Sequence, residues 1–389
     1  MSQAVPVQQQ AAEAQPAPGP IDHTKKLPSF DYMTMMRQVA LQGGKSYWAQ
    51  MREMYELKLG PGKIAPVEYF YYGLFEDTLS REQKRAFVGT NLRAEVNAAL
   101  LDREFFGIGK DKIAFYAFAA GMGLPIPRTR ALYHPTRGLA GAARLDRIEA
   151  LAAFLRDGAN TPFFSKPANL TASVGVASVE RYHAEDDTLE MTNGARFPVM
   201  RFVEEADRYF EGGYLFQERL TAHAALRPLA GPQLSTIRFM VLADEGSAPR
   251  ILRATWRAPS GEHAADVMWR GNMMAALNVE TGVIARVVRG RGLDRAEIET
   301  HPNTRAQLFG AVMPHWPELC ALALNAARSV PQLMLTGWDI ALAEGGPAVI
   351  ELEPDGGDPA VTQLASGQGL LDGAYGAFLE RRRALLRGK

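Results

Sequence analysis

A chain of 389 residues with 43 basic and 43 acidic side chains lacks the cationic excess of a generalist nucleic-acid binder, and it is long enough for two or three packed lobes. At 47% hydrophobic and 22% charged it has an ordinary globular composition, and no stretch nears the ~18 uninterrupted apolar residues of a membrane helix. A cytoplasmic protein without membrane insertion is therefore expected. The single cysteine, Cys320, excludes an intramolecular disulfide framework and multi-cysteine zinc sites, and its apolar surroundings mark it as a packed thiol.

Residues 1–28 are rich in Gln, Ala and Pro without periodic apolar positions. They can bury too little surface to offset ordering entropy, so a disordered tail is expected; they also lack the basic and apolar regions of a secretory signal. Residues 29–106 turn helical. Met35, Met36, Val39, Trp48, Met51, Met54 and Tyr55 follow helical spacing, with breaks at Gly43-Gly44 and Gly60-Pro61-Gly62. Ser80 with Gln83 three residues on is a capping-box signature. The aromatic run Tyr69-Phe70-Tyr71-Tyr72 reads as a core stripe.

A helix over 111–122 is closed by Leu124-Pro125-Ile126-Pro127. Beyond it short β-type runs dominate, at 163–166, 174–182, 214–219, 235–243, 250–257 and 275–288, with turn residues between several of them. A helix at 317–329 precedes two last strands, 335–343 and 348–353. Antiparallel runs beside helices predict an α+β fold rather than a doubly wound parallel sheet.

Three segments carry candidate chemistry. In the C-terminal hairpin, Glu351 and Glu353 are two apart on a strand and leave the same face. A two-residue Gly345-Gly346 loop would send Asp339 to the other face, whereas a three-residue loop sets it across from Glu351 or Glu353, ~5 Å away. Pro347, without an N–H, favours the odd loop. Three converging carboxylates repel unless a cation lies between them, and hard oxygens on rigid strands suit Mg²⁺ that bridges phosphates. A solvated acidic face is the plain alternative. In PFFSKPANLTASVGVASVER an apolar strand ends at Lys166, and a small-residue loop with one glycine, Gly175, follows. That pattern brings a lysine and loop amides over phosphates, or makes a surface hairpin; it is not a Walker A sequence. In YLFQERL, the backbone edge with Gln217, Glu218 and Leu220 can meet an adenine and ribose, or Glu218 makes a strand-end salt bridge. Arg238 and Arg257 lie within apolar strands, where an unpaired cation is costly, so each requires a carboxylate or a ligand phosphate. His223, His301 and His315 are lone histidines near turns and read as structural.

Taken in order, Asp111-Lys112, GLPIP, FFSKP, LFQERL, STIRFMVL, ETG, GWDIAL and VIELE resemble the ATP-grasp superfamily. The segments VEYFYYGLF and ETHPNTRAQLFGAVMPHW and the GWD–Gly-Pro–Ile-Glu ending are similar to its sugar-transfer-associated group, related to α-L-glutamate ligases. The resemblance covers about residues 45–375. It implies two α+β lobes clasping ATP, one at 107–215 and one at 216–389, behind a helical extension at 29–106. Lys112 and Lys166 match lysines that contact the nucleotide. Gln217, Glu218 and Leu220 match its hinge. Arg238 and Arg257 match arginines of the catalytic phosphoryl region, and Asp339, Glu351 and Glu353 match ligands of Mg²⁺ (or Mn²⁺). The implied activity is a carboxylate–amine ligase working through an acyl phosphate on a small-molecule carboxylate and an amine or sugar-derived acceptor, in cell-surface polysaccharide or secondary-metabolite assembly. A kinase that phosphorylates a hydroxyl, and an inactive binding or scaffold module, are the alternatives. Glu353 stands where the family has Asn, the following turn reads EPDGGDP, and the phosphate loop is glycine-poor.

Overall fold

The computed structural model describes residues 19–23, 31–100, 102–171, 173–244, 247–259, 272–290 and 292–387. Five helices lead: α1 (Tyr32–Gly43), α2 (Tyr47–Leu59), α3 (Pro66–Tyr71), α4 (Arg81–Arg85) and α5 (Thr90–Leu100). Their ends follow the sequence signals. Asp31 caps α1 through the amides of Met33 and Thr34, and Ser80 and Gln83 form the capping box of α4. Tyr69, Phe70 and Tyr72 are buried, as a core stripe should be. Next come α6 (Phe106–Lys110) and α7 (Lys112–Gly121), the latter capped by Asp111.

Two sheets follow. The first contains β1 (Thr129–Tyr133), β2 (Ala143–Leu145), β3 (Phe163–Pro167), β4 (Ala177–His183), β5 (Thr188–Met191), β6 (Arg196–Pro198) and β7 (Tyr214–Glu218), in the order β2-β1-β7-β3-β4-β5-β6. Its core packs under α8 (Ile148–Arg156) and α9 (Val199–Asp207) through Leu151, Leu155, Phe202 and Val203. The short α10 (Arg227–Ala230) leads to the second sheet. That sheet contains β8 (Thr236–Leu242), β9 (Arg250–Ala258), β10 (Met273–Leu277), β11 (Ile284–Arg289), β12 (Ala296–Glu297), β13 (Leu335–Ala343) and β14 (Gly346–Glu353), in the order β12-β11-β10-β9-β8-β13-β14. All described pairings are antiparallel except β1 with β2. The short β1, β2, β5 and β6 and the helices α8 and α9 were not foreseen from the sequence.

The second sheet has two different faces. Ile237, Phe239, Trp256, Trp338 and Ile340 point into the main core with α7 and α11 (Trp316–Arg328). The alternate residues, such as Met240, Leu242 and Met274, meet the leader together with α12 (Pro359–Ser366) and α13 (Ala374–Arg387). Because side chains alternate along a strand, the leader covers part of the same face that carries Arg238 and Asp339.

Three expectations need correction. Residues 1–18 and 24–28 of the expected tail lie outside the described residues, but Gly19 to His23 is docked. Ile21 is buried, its amide donates to Glu205 Oε2 at 3.1 Å, and Asp22 bridges to Val176. A lobe boundary at 215/216 would cut through β7. The hairpin loop is Glu344-Gly345, with Ala343 opposite Gly346, and it is even. Pro347 pairs with Leu342 on an edge strand, where the missing N–H is tolerated. Asp339 nevertheless faces Glu351, because a bulge at Ile350 shifts the register between Asp339 and Ile340.

Candidate functional site

The register lines up a charged row across the second sheet: Glu351 opposite Asp339, and Asp339 opposite Arg238. Opposed residues share a face. Arg238 donates from Nε and Nη2 to the two Asp339 oxygens at 2.5 and 3.0 Å, and Arg257 Nη1 donates to Oδ2 at 3.0 Å. Burial by itself would raise the Asp339 pKa; the Arg238 and Arg257 guanidiniums outweigh it and hold the carboxyl down at about 2. Gly337 lies opposite Glu353. A Cβ there would come within 3.0 Å of the Arg238 side chain and 3.2 Å of Glu353 Cβ, so the glycine makes room for both.

Two lysines arrive from elsewhere in the chain. Lys166, near the end of β3, is 7% exposed and donates to Tyr116 Oη at 2.8 Å. Tyr116, on α7, donates in turn to the carbonyl of Ile350, the bulge residue, at 2.7 Å. Burial lowers the Lys166 pKa to about 8, against the pull of Glu351 and Asp339. Lys112, the first residue of α7, donates to the Leu170 carbonyl at 2.6 Å and pairs with Glu351 Oε1 at 2.9 Å. The Glu351 pKa is lowered: burial opposes this, and Lys112 is the main group that overrides it. Lys112 and Lys166 therefore lie at the same end of the second sheet's edge hairpin as Glu351 and Ile350.

A second cluster lies beside the first, and the sequence reading missed it. Glu353 pairs with Lys110 at 3.0 Å. Burial first, and a hydrogen bond to Asp355 second, push its carboxyl up to about 7. Asp355 is held low by that bond and by Arg93 and Lys110, despite burial. Arg93 belongs to α5 of the leader. It reaches the Asp355 carboxylate at 2.7 Å and carbonyl at 3.0 Å, and lies 3.6 Å from Asp358. Asp358 lies 3.6 Å from Arg238 Nη1, a buried nitrogen with no hydrogen-bond partner. The signal was the pair of aspartates in EPDGGDP, read only as an altered turn.

The hinge candidates sit at the end of β7. Glu218 Oε1 accepts from the Arg128 amide at 2.8 Å, and the Glu218 amide donates to the Arg128 carbonyl. Glu218 thus does not make the strand-end salt bridge that was its plain alternative; the neighbouring Arg219 pairs with Glu180. Gln217 is buried and donates to Thr129 Oγ1 at 3.2 Å; Leu220 is half-buried. In the phosphate-loop candidate, Gly175 has φ +80, and a Cβ would meet Pro167 at 2.5 Å. Its amide donates to the Asp22 carbonyl. His301 is buried, with Nε2 on the Pro259 carbonyl and Nδ1 accepting from Asn303 and Thr304, a structural role. Cys320 is half-buried, and burial pushes its thiol up to about 11.

The description "Sugar-transfer associated ATP-grasp" matches residues 91–375. The chain belongs to this family. Its fold is accordingly an α+β ATP-grasp fold preceded by helices. No curated protein matches the chain. Among solved structures, the D-alanyl-alanine synthetase A of Vibrio cholerae is 14% identical, with 70% of this chain and 64% of that chain covered and a TM-score of 0.40. The D-alanine-D-alanine ligase of Coxiella burnetii is 12% identical, with 72% and 59% covered and a TM-score of 0.38. A carboxyaminoimidazole ribonucleotide synthetase of Thermotoga maritima is 12% identical, with 64% and 42% covered and a TM-score of 0.33. The matched part thus spans less than two thirds of each of these chains.

In this ATP-grasp chain the three expected metal ligands share a face but do not form a free-standing cage. Asp339 is held by two arginines, Glu351 by Lys112 and Glu353 by Lys110. Among the described residues no group of three His, Cys, Asp or Glu is placed to hold a metal ion. Glu351 and Glu353 fit the lesser task of lending one or two oxygens to a cation whose other ligands are phosphates and waters.

Proposed function

We propose that this ATP-grasp chain binds ATP over the second sheet and activates a small-molecule carboxylate for attack by an amine. One observation carries the reading. Six cations, Arg93, Lys110, Lys112, Lys166, Arg238 and Arg257, face five carboxylates, Asp339, Glu351, Glu353, Asp355 and Asp358. Burial and the hydrogen bond to Asp355 hold the Glu353 carboxyl above its ordinary range, which weakens its negative charge and widens the excess. A surplus of positive charge around the buried Lys112, Lys166 and Arg238 is unfavourable unless an anion completes it. A triphosphate is such an anion, and the surplus is concentrated where Lys166 and Arg238 Nη1 have spare donors.

In this reading Lys112 and Lys166 hold phosphate oxygens, with the edge at Gln217, Glu218 and Leu220 receiving adenine and ribose. Arg238 and Arg257 offset charge that develops on the transferred phosphoryl group. A substrate carboxylate oxygen takes the terminal phosphoryl group and ADP leaves. The amine nitrogen then attacks the acyl carbon, phosphate departs with the bonding pair, and the nitrogen loses a proton. Mg²⁺, with Glu351 and Glu353 among its ligands, would supply further charge neutralisation at the phosphates.

The expected products are an amide, ADP and phosphate in equal amounts. A phosphoester with ADP and no free phosphate would assign the kinase chemistry instead. The hold of two arginines on Asp339 favours a second reading, a binding module in which the site stays closed. Saturating Mg·ATP should raise the melting temperature, and Lys166→Ala should abolish the rise. An unchanged melting temperature in the unsubstituted protein would refute nucleotide binding.

A further inference from the structure

Helix α2 leaves its apolar stripe uncovered. Trp48, Met51, Tyr55 and Leu59 are 79%, 48%, 67% and 68% exposed. Their spacing of three, four and four residues places them within about 80° of helix circumference at ~100° per residue. Arg52 and Lys58 are exposed and lie at the two edges of this arc. Gln50 and Leu57, on the opposite side, are buried against the rest of the leader.

The helix also sorts its charges. Glu53 turns away from the stripe, where it binds Lys45 at 2.9 Å, Lys84 at 3.4 Å and Tyr69 Oη at 2.5 Å. Glu56 is taken by Arg81 and Arg85. What remains outward is apolar and aromatic, flanked by the exposed Arg52 and Lys58. The neighbouring α1 leaves Met33 and Leu41 exposed as well.

We propose that this face is a peripheral docking surface for an anionic lipid bilayer. Aromatic and aliphatic side chains flanked by basic ones match the headgroup boundary, where the rings sit between acyl chains and water and the cations meet lipid phosphates or carboxylates. A Trp side chain exposed to this extent has no groove walls around it and suits a deformable, fluid surface. A second copy is a poorer occupant. A two-fold pairing centred on α2 would bring Arg52, near its middle, towards its own symmetry mate. Among the described residues no helix is long and apolar enough to cross a membrane, so the contact is one of surface attachment. This inference stands apart from the nucleotide reading.

Flotation of the full chain with vesicles tests it. Vesicles of phosphatidylcholine with about one third phosphatidylserine should carry the protein, pure phosphatidylcholine should carry at least fivefold less, and high salt should release it. Trp48→Ser should reduce binding at least fivefold, as should Arg52→Glu combined with Lys58→Glu. Because these side chains are exposed, each variant should melt within a degree or two of the parent, which separates lost docking from misfolding. Absence of flotation with anionic vesicles overturns the proposal, and so does equal flotation of parent and variants. A dimer in light scattering that Trp48→Ser dissociates, without vesicle binding, overturns it in favour of a second copy.

Discussion

Lys166 gives the nucleotide reading a pH signature. Its pKa falls from 10.5 to about 8 because the ammonium is buried, a penalty on the charged form of about 3 kcal/mol. In the ligand-free protein that penalty is complete below about pH 8 and is relieved as pH rises toward 10.5. Stability should therefore increase across that window. Nucleotide affinity should move the other way. Phosphate oxygens beside Nζ raise the pKa again, so binding above about pH 8 takes up a proton. With the bound-state pKa near its ordinary value, Kd should grow about fivefold from pH 8 to 9 and about sevenfold over the next unit. Calorimetric titration of ATP in buffers of different ionisation heat measures both the affinity and the proton uptake. Lys166→Arg keeps its charge throughout and should flatten the profile. An unsubstituted protein with an equally flat profile, or with affinity improving toward high pH, refutes the placement of Lys166 at the phosphates.

Asp339→Asn leaves Arg238 and Arg257 facing a neutral partner in a buried site, and unfolding in urea should show a loss of about 3–5 kcal/mol. Little loss would mean that the two guanidiniums are not held by this carboxylate. Tyr116→Phe removes the hydroxyl between Lys166 and the Ile350 carbonyl, and the same measurement should show a loss of about 1–3 kcal/mol. Mg²⁺ alone should bind the protein too weakly for calorimetry at millimolar concentrations, but it should bind once ATP is present, and Glu351→Gln should weaken that second step. Tight Mg²⁺ binding without nucleotide would contradict the ion-paired arrangement of the carboxylates.

Much of the fold was legible because its signals are local. The capping box at Ser80, glycine and proline breaks and alternating apolar runs act over a few residues, and they placed α4, α7, α11 and most strands of the second sheet near their observed positions. The same parity put Glu351 and Glu353 on one face. The strands that escaped, β1, β2, β5 and β6, are three to five residues long. Runs that short carry little periodicity of their own, and their pairing supplies what the local pattern lacks.

The sequence alone determined which residues carry charge, that Glu351 and Glu353 point the same way, and that Arg238 and Arg257 each require an anion. Only the tertiary structure decided which anion that is. Asp339 lies 101 residues from Arg238, and Asp355 lies 262 from Arg93. It also decided that Asp339 faces Glu351, through a bulge at Ile350 rather than through the loop length. Strand parity follows from two neighbouring peptide units, whereas register and ion pairing depend on segments that meet only after the chain has folded.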